Sequence, residues 1–437
     1  MDAFVITGGT PLTGSVRIAG SKNAALPIMA AALLSDDPLD LLDVAELADI
    51  GNMRRLLHAL GCDATAHDGA LRLQVTDTSA SFAKYDIVRT MRASICALGP
   101  LLARRGEARI SLPGGCAIGV RPVDLHLKGM EALGARITLD SGDIVATAPP
   151  GGKLRGATIF LGGAYGPTVL GTANVMSAAT LAHGRTVIES AACEPEIVDL
   201  AAVLTAMGAR ISGAGSPRIT IDGVDRLHGA RHRVMADRIE AGTYIMAGAI
   251  AGGTLTITNC PVDCLMAANT TLAEAGITVR VDPGATDLLR ATVTVERTGP
   301  ITPTHVTTQP HPGFPTDLQA QLMAVLTLAH GNSSITERIF PDRFMHMPEL
   351  SRMGADLMRH GSTVLVSGVK RLVGAPVMAS DLRASASLVL AGLAAQGQTI
   401  VRRVYHLDRG YERMENRLNA VGANIQRVDE RELPLMD

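Results

Sequence analysis

Six times along the chain, a run with helix-like spacing of apolar residues ends in a small or apolar residue and a glycine. An alternating apolar and polar run often follows. The segments are Leu56-Leu57-His58-Ala59-Leu60-Gly61, Met130-Glu131-Ala132-Leu133-Gly134-Ala135 and Leu204-Thr205-Ala206-Met207-Gly208-Ala209. They continue with Leu272-Ala273-Glu274-Ala275-Gly276, Leu350-Ser351-Arg352-Met353-Gly354-Ala355 and Leu418-Asn419-Ala420-Val421-Gly422-Ala423. The marker glycines are spaced by 73, 74, 68, 78 and 68 residues. Such regularity is an internal repeat. Each glycine suits a helix C-terminus, where a left-handed residue closes the last turn. Ala135-Arg136-Ile137-Thr138-Leu139 then alternates as a strand does.

A second, Ala-rich helix is predicted once per repeat. Its copies are residues 21–34, 88–104, 171–183, 239–251, 317–330 and 381–396. Small residues on several faces predict helices packed on all sides. Each repeat therefore reads as two helices and several short strands over about 70 residues. Six repeats make an α/β chain of two three-repeat domains, divided near residues 231–236. The strand Phe4-Val5-Ile6-Thr7 precedes the first helix and fits either half.

Composition narrows the function classes. The 437 residues favour more than one domain. Apolar residues are 47% and aromatics 3%, with no Trp, so the core is aliphatic and a base-stacking surface is not expected. The net charge of −2 offers no overall field for nucleic acid or anionic lipid, so any bound anion needs local basic groups. The start lacks the charge and apolar run of a signal peptide. The longest apolar stretch, Ala24 to Leu34, is too short to span a bilayer and contains Pro27. A cytoplasmic protein without membrane insertion is expected. Six scattered cysteines are not a disulfide framework. Cys260 and Cys264 lack the further ligands of a closed zinc site.

Candidate chemistry sits in a few polar stretches. Gly20-Ser21-Lys22-Asn23 opens a helix, with Ser21 as N-cap. Lys22 places positive charge where the helix dipole is already positive, which either a bound anion or plain solvation explains. The spacing is not that of a phosphate-binding P-loop. Residues 112–124 hold three glycines and two prolines around Cys116, with Arg121 nearby. A loop cysteine there is either a nucleophile or proton donor, or has no role. Arginines recur as Arg89, Arg92, Arg121, Arg238, Arg343, Arg383, Arg409 and Arg413. Their planar forks match carboxylate and phosphate, although surface charge is the usual reading of any single one. Asp317, after a Pro-rich turn, is either a first-turn helix carboxylate or a general base for a hydroxyl.

Taken together, several stretches resemble the UDP-N-acetylglucosamine enolpyruvyl transferases, a family of 1-carboxyvinyltransferases sister to the shikimate-pathway enolpyruvyl transferases. They are residues 20–27, 89–94, the Cys116 loop through His126, 237–243, 314–317, 343–346, 381–386 and 406–412. The resemblance spans nearly the whole chain. It implies a two-domain enolpyruvyl transferase fold, an inside-out α/β barrel with three βαβαββ repeats per domain. The implied domains are residues 22–235, and residues 1–21 with 236–437, with the active site in the cleft between them.

The resemblance also implies roles. Lys22, Arg121 and Arg409 would hold the phosphate of phosphoenolpyruvate, and Arg343 and Arg383 its carboxylate, with Arg92 in support. Asn23 and Asp317 would orient the sugar 3-hydroxyl, with Asp317 as base. Arg121, Pro122, Val123, Asp124, Leu125 and His126 would hold the uridine diphosphate, and Ile339 would join the substrate contacts. Cys116 would be the general acid, open to alkylation by fosfomycin. Neither metal nor organic cofactor is implied, and the sequence sets no oligomeric state. Two stretches depart from the family pattern. Residues 163–171 match its diphosphate-contacting loop loosely and lack a basic residue, and Pro341-Asp342 precedes Arg343 where many members carry Glu-Asn or Glu-Ser. The alternative reading is a paralogue acting on another nucleotide in a specialised pathway.

Overall fold

The structure is a computed structural model that describes residues 1–112 and 123–432. The repetition reappears in its sheets. Among the described residues there are six four-stranded sheets and one two-stranded hairpin. The six share one pattern: an edge strand parallel to its neighbour, followed by two antiparallel pairings. One repeat illustrates the connectivity. Strand His305–Thr307 leads through helix Gln319–Leu326 to strand Asn332–Thr336, and helix Met347–Arg352 leads to the hairpin Asp356–His360 and Thr363–Ser367. The parallel pair needs a crossover, which the first helix supplies.

The described residues cluster into two compact units, one holding those between Gly20 and Met235 and the other combining Met1–Ala19 with those from Ala236 onward. Each has three such sheets. In the first, strand Ala230–Arg233 returns to lie parallel to Leu39–Leu42 and completes the opening repeat. In the second, Asp2–Thr7 enters between Gln398–Arg402 and Asn424–Asp429, and Leu12–Arg17 becomes the edge beside Gly253–Cys260. The N-terminal strand thus belongs with the C-terminal repeats.

The Ala-rich helices are the centre of each unit. Arg238–Ala251, Gln319–Leu326 and Leu382–Ala394 pack on one another and are buried almost throughout. In the other unit, helix Val169–Ala179 packs against both Lys22–Ala31 and Leu98–Arg105, and all three are largely buried. Each Leu, Ile, Val or Met side chain so buried contributes roughly 1.5–3 kcal/mol. Small residues allow the helices to approach closely. A Cβ on Gly99 would lie 2.3 Å from the Asn174 carbonyl oxygen, so no larger residue fits there.

The second helices are one-sided. Ala48–Ala59 buries Asp49, Ile50, Met53, Leu56 and Leu57, the spacing of a single helical face. All six marker glycines close such helices with φ between +75° and +106°, a conformation costly for any residue with a Cβ. Two of the central helices are more broken than the sequence pattern suggests. Residues 317–330 divide into the 3₁₀ turn Thr316–Leu318 and helix Gln319–Leu326. Residues 88–104 divide into Tyr85–Val88, the 3₁₀ helix Arg92–Ala97 and helix Leu98–Arg105. Among the described residues, no helix is long and apolar enough to cross a membrane.

Candidate active site

Cys116, Arg121 and Pro122 lie outside the described residues. The other candidate residues fall into a group in each unit.

In the unit that begins at Gly20, Ser21 Oγ accepts the Ala24 amide at 3.3 Å and caps helix Lys22–Ala31. Lys22 is not a solvated charge. Its ammonium lies 3.3 Å from the carboxylate of Asp49, and the two side chains are 11% and 2% exposed. Asp49, in the first turn of the second helix, therefore supplies an anionic partner that the sequence pattern does not reveal. Asn23 follows Lys22 in the first turn and is half-buried.

Asp124 and Leu125 open helix Asp124–Ala132, with Val123 just before it. Asp124 is exposed, whereas Val123 and Leu125 are half-buried. Leu125 faces the hairpin of Gly162–Gly163 and Gly166–Pro167, since a Cβ on Gly163 would stand 3.3 Å from Leu125 Cδ1. His126 is buried one residue further on. Burial, with the Arg92 charge adding to it, lowers its pKa to about 3, so the ring is neutral. Asn174 fixes its tautomer. Asn174 Oδ1 accepts the Gly99 amide at 2.6 Å, so its Nδ2 donates to the Ile95 carbonyl at 2.9 Å and to His126 Nδ1 at 3.1 Å. Nδ1 is then the acceptor and Nε2 carries the proton. Asn174 escaped the sequence reading; its only signal is an amide within an otherwise small and apolar helix.

In the other unit, Asp317, Arg343 and Arg383 come together. Arg343 Nη1 donates to Asp317 Oδ1 at 2.8 Å and Arg383 Nη2 to Asp317 Oδ2 at 3.2 Å. The arginines are 6% and 3% exposed. Arg383 sits at the start of helix Leu382–Ala394, whose N-cap Asp381 accepts the amides of Arg383 and Ala384 at 2.9 and 3.2 Å. Its Nη1 donates to the Tyr411 hydroxyl at 3.0 Å. That hydroxyl is 2.8 Å from Thr243 Oγ1, and Gln321 Nε2 donates to both and to the Asp317 carbonyl. Burial opposes the charge on Arg383, but Tyr411 and Asp317 outweigh it and hold the guanidinium firmly protonated.

Arg343 has a second acceptor at the same nitrogen. Its Nη1 also donates to Thr316 Oγ1 at 3.0 Å, and Thr316 donates to Glu337 Oε2 at 2.8 Å. Ile339, half-buried, gives its amide to Glu337 Oε1 at 2.8 Å. Arg409 ends the 3₁₀ helix Val404–Arg409. The preceding residue, Asp408, is clamped by Arg427 at 2.6 and 3.1 Å. Tyr411, Gln321, Thr243, Thr316 and Glu337 had no assigned role in the sequence reading.

The arrangement is suited to anions and to a hydroxyl. Two desolvated guanidiniums beside one carboxylate can orient an acidic ligand while the carboxylate receives a proton. Burial pushes the thiols of Cys62, Cys96 and Cys260 up to about 12, so none is a thiolate nucleophile at neutral pH. Among the described residues, no group of three His, Cys, Asp or Glu side chains is placed to hold a metal.

Residues 6–418 match the family described as EPSP synthase (3-phosphoshikimate 1-carboxyvinyltransferase). The chain is 53% identical over 430 residues to a UDP-N-acetylglucosamine 1-carboxyvinyltransferase of Nitratidesulfovibrio vulgaris strain DP4, covering 98% of this chain and 100% of that one. The chain belongs to the enolpyruvyl transferase family. A UDP-N-acetylglucosamine 1-carboxyvinyltransferase of Dinoroseobacter shibae is 54% identical to this enolpyruvyl transferase over 435 residues, again covering 98% and 100%. Among solved structures, the enolpyruvyl transferase NikO from Streptomyces tendae is similar with a TM-score of 0.86 and 26% identity, covering 98% and 99%. An EPSP synthase from Acinetobacter baumannii shares the fold, with a TM-score of 0.76 at 17% identity, covering 98% and 100%. The enolpyruvyl transferase fold expected from the sequence is shared with these solved structures.

Proposed function

We propose that this transferase moves the enolpyruvyl group of phosphoenolpyruvate to the 3-hydroxyl of UDP-N-acetylglucosamine and releases phosphate. One observation carries the reading: identity of 53–54% over essentially the full length with proteins named for that activity, against 26% with NikO. The reaction would supply the peptidoglycan precursor pathway and run in the cytoplasm.

In this reading Asp317 accepts the proton of the sugar hydroxyl as its oxygen bonds to C2 of phosphoenolpyruvate. Cys116 donates its proton to the C3 methylene. The Cys116 thiolate then takes a proton back from C3 of the tetrahedral intermediate as the C2–O bond to phosphate breaks and Asp317 gives its proton to the departing phosphate, restoring the double bond and the starting protonation states. Arg343 and Arg383 hold the substrate carboxylate, while Lys22, Arg121 and Arg409 hold the phosphate and Arg92 supports them. Asn23 orients the hydroxyl. Val123, Asp124, Leu125 and His126, with Arg121 and Pro122, bind the nucleotide, and Ile339 adds a contact. Donors already in place before charge develops are the most effective form of such catalysis.

A second acceptor has one point in its favour. The stretch from residue 156 to 184 has neither Lys nor Arg, so the hairpin at 162–167 brings no cation of its own to a diphosphate. The test is the product. Incubation with both substrates should give a nucleotide sugar whose proton and carbon spectra place the enolpyruvyl ether on the sugar 3-oxygen. A product formed only from a different nucleotide would transfer the reading to the paralogue class.

A further inference from the structure

We propose that Glu337 is a positioning residue that sets the geometry of Arg343 and Asp317 through Thr316. The inference rests on the enolpyruvyl transfer reading and adds a residue to it.

Glu337 follows strand Asn332–Thr336 and continues its inward phase, with Ser333, Ile335 and Glu337 all fully buried. A carboxylate in such a place is costly unless its lone pairs are filled. Four neutral donors fill them. Thr308 Oγ1 and the amides of Ile339 and Phe340 donate to Oε1 at 2.7, 2.8 and 3.0 Å, and Thr316 Oγ1 donates to Oε2 at 2.8 Å. Thr308 is itself oriented, because its oxygen accepts the Arg338 amide at 2.9 Å.

The polarity of this set has a consequence at Thr316. A carboxylate only accepts, so the Thr316 hydroxyl must spend its one proton on Glu337. Its lone pairs are then turned outward, and Arg343 Nη1 donates to one of them at 3.0 Å. The same nitrogen gives its second proton to Asp317 Oδ1 at 2.8 Å. Arg343 is thereby fixed between a hydroxyl whose direction Glu337 dictates and the carboxylate assigned as base. Glu337 also ties the amides of Ile339 and Phe340, on the segment that leads from the strand to Arg343. A single carboxylate thus holds both the backbone that delivers the arginine and the hydroxyl that aims it.

The experiment compares Thr316→Val, Thr316→Ser and Glu337→Gln with the unsubstituted protein, by steady-state kinetics, thermal midpoint and crystal structure. Thr316→Val is isosteric but lacks the hydroxyl; it leaves the backbone donors of Glu337 in place, so it should fold even where Glu337→Gln does not. We expect KM for phosphoenolpyruvate to rise about tenfold in Thr316→Val, the usual size of a lost hydrogen bond to a charged group, with kcat changed less. Thr316→Ser should recover most of that loss. A merely structural role would lower the thermal midpoint and leave KM alone, and an unchanged KM in Thr316→Val overturns the proposal. If the unsubstituted protein turns over no phosphoenolpyruvate, the functional reading fails separately. The crystal structure of Thr316→Val then decides: Arg343 displaced from Asp317 upholds the positioning role, and a retained contact at 2.8 Å overturns it.

Discussion

Arg343 Nη1 meets Asp317 Oδ1 at 2.8 Å, and this pair organises the candidate residues of its unit. The Asp317 carboxylate bridges Arg343 to Arg383, so its negative charge is shared by two buried cations. Asp317→Asn would keep the shape and remove both the proposed base and the charge. We expect kcat to fall by about 100-fold or more, the ordinary contribution of a placed general base. Steady-state kinetics checks this; a fall of less than threefold would remove Asp317 from the proton transfer.

His126 should stay neutral well into acid. Its pKa is lowered to about 3, first by burial and then by Arg92, below the ordinary 6.5. Between those values the unfolded chain binds a proton that the folded chain does not. Stability therefore falls as pH drops from about 6.5 toward 3. Nitrogen NMR of the ring at pH 5 should report a neutral imidazole protonated at Nε2, with Nδ1 accepting from Asn174. A charged ring at pH 5 would contradict the arrangement.

Glu240 titrates in the opposite sense. Burial raises its pKa to about 7 despite Arg417 at 3.1 Å, with Asp237 and Glu412 adding to the rise. Its Oε2 accepts the Ala19 amide at 2.8 Å. The folded carboxyl keeps its proton after the unfolded one has ionised near 4.5. Its contribution to stability is therefore present below about 4.5 and lost as pH rises through 7. Urea unfolding of Glu240→Gln and the unsubstituted protein at pH 5 and pH 7 should show the substituted protein gaining relative stability with rising pH. No change in the difference would mean that Glu240 is ionised throughout.

How legible was all this in the sequence? The marker glycines and the Ala-rich helices were plain, because a left-handed cap and a crowded helix each leave a local signature. Asp317 was not decided by its neighbours. A first-turn carboxylate and a base look alike until Arg343 and Arg383, 26 and 66 residues away, are brought to it. Lys22 likewise took its meaning from Asp49 on another helix. Asn174 and Glu337 were missed because each became buried through long-range packing. The alternation of Ser333, Ile335 and Glu337 was nevertheless a usable sign, since it carries the inward phase one step past the strand.

Cys116→Ser should slow turnover and leave nucleotide-sugar affinity nearly intact, as expected of a proton donor outside the binding contacts. Fosfomycin should inactivate the enzyme by alkylating Cys116. Isothermal titration and peptide mass mapping check the two statements. A large loss of affinity, or an adduct on another cysteine, would displace Cys116 from the chemical step.

The most direct measurement of the central claim is phosphate release from phosphoenolpyruvate with UDP-N-acetylglucosamine and a panel of other nucleotides as acceptors. The account expects release that depends on UDP-N-acetylglucosamine, one phosphate for each sugar consumed. Release with another nucleotide alone, or binding of the sugar with no release at all, would contradict it.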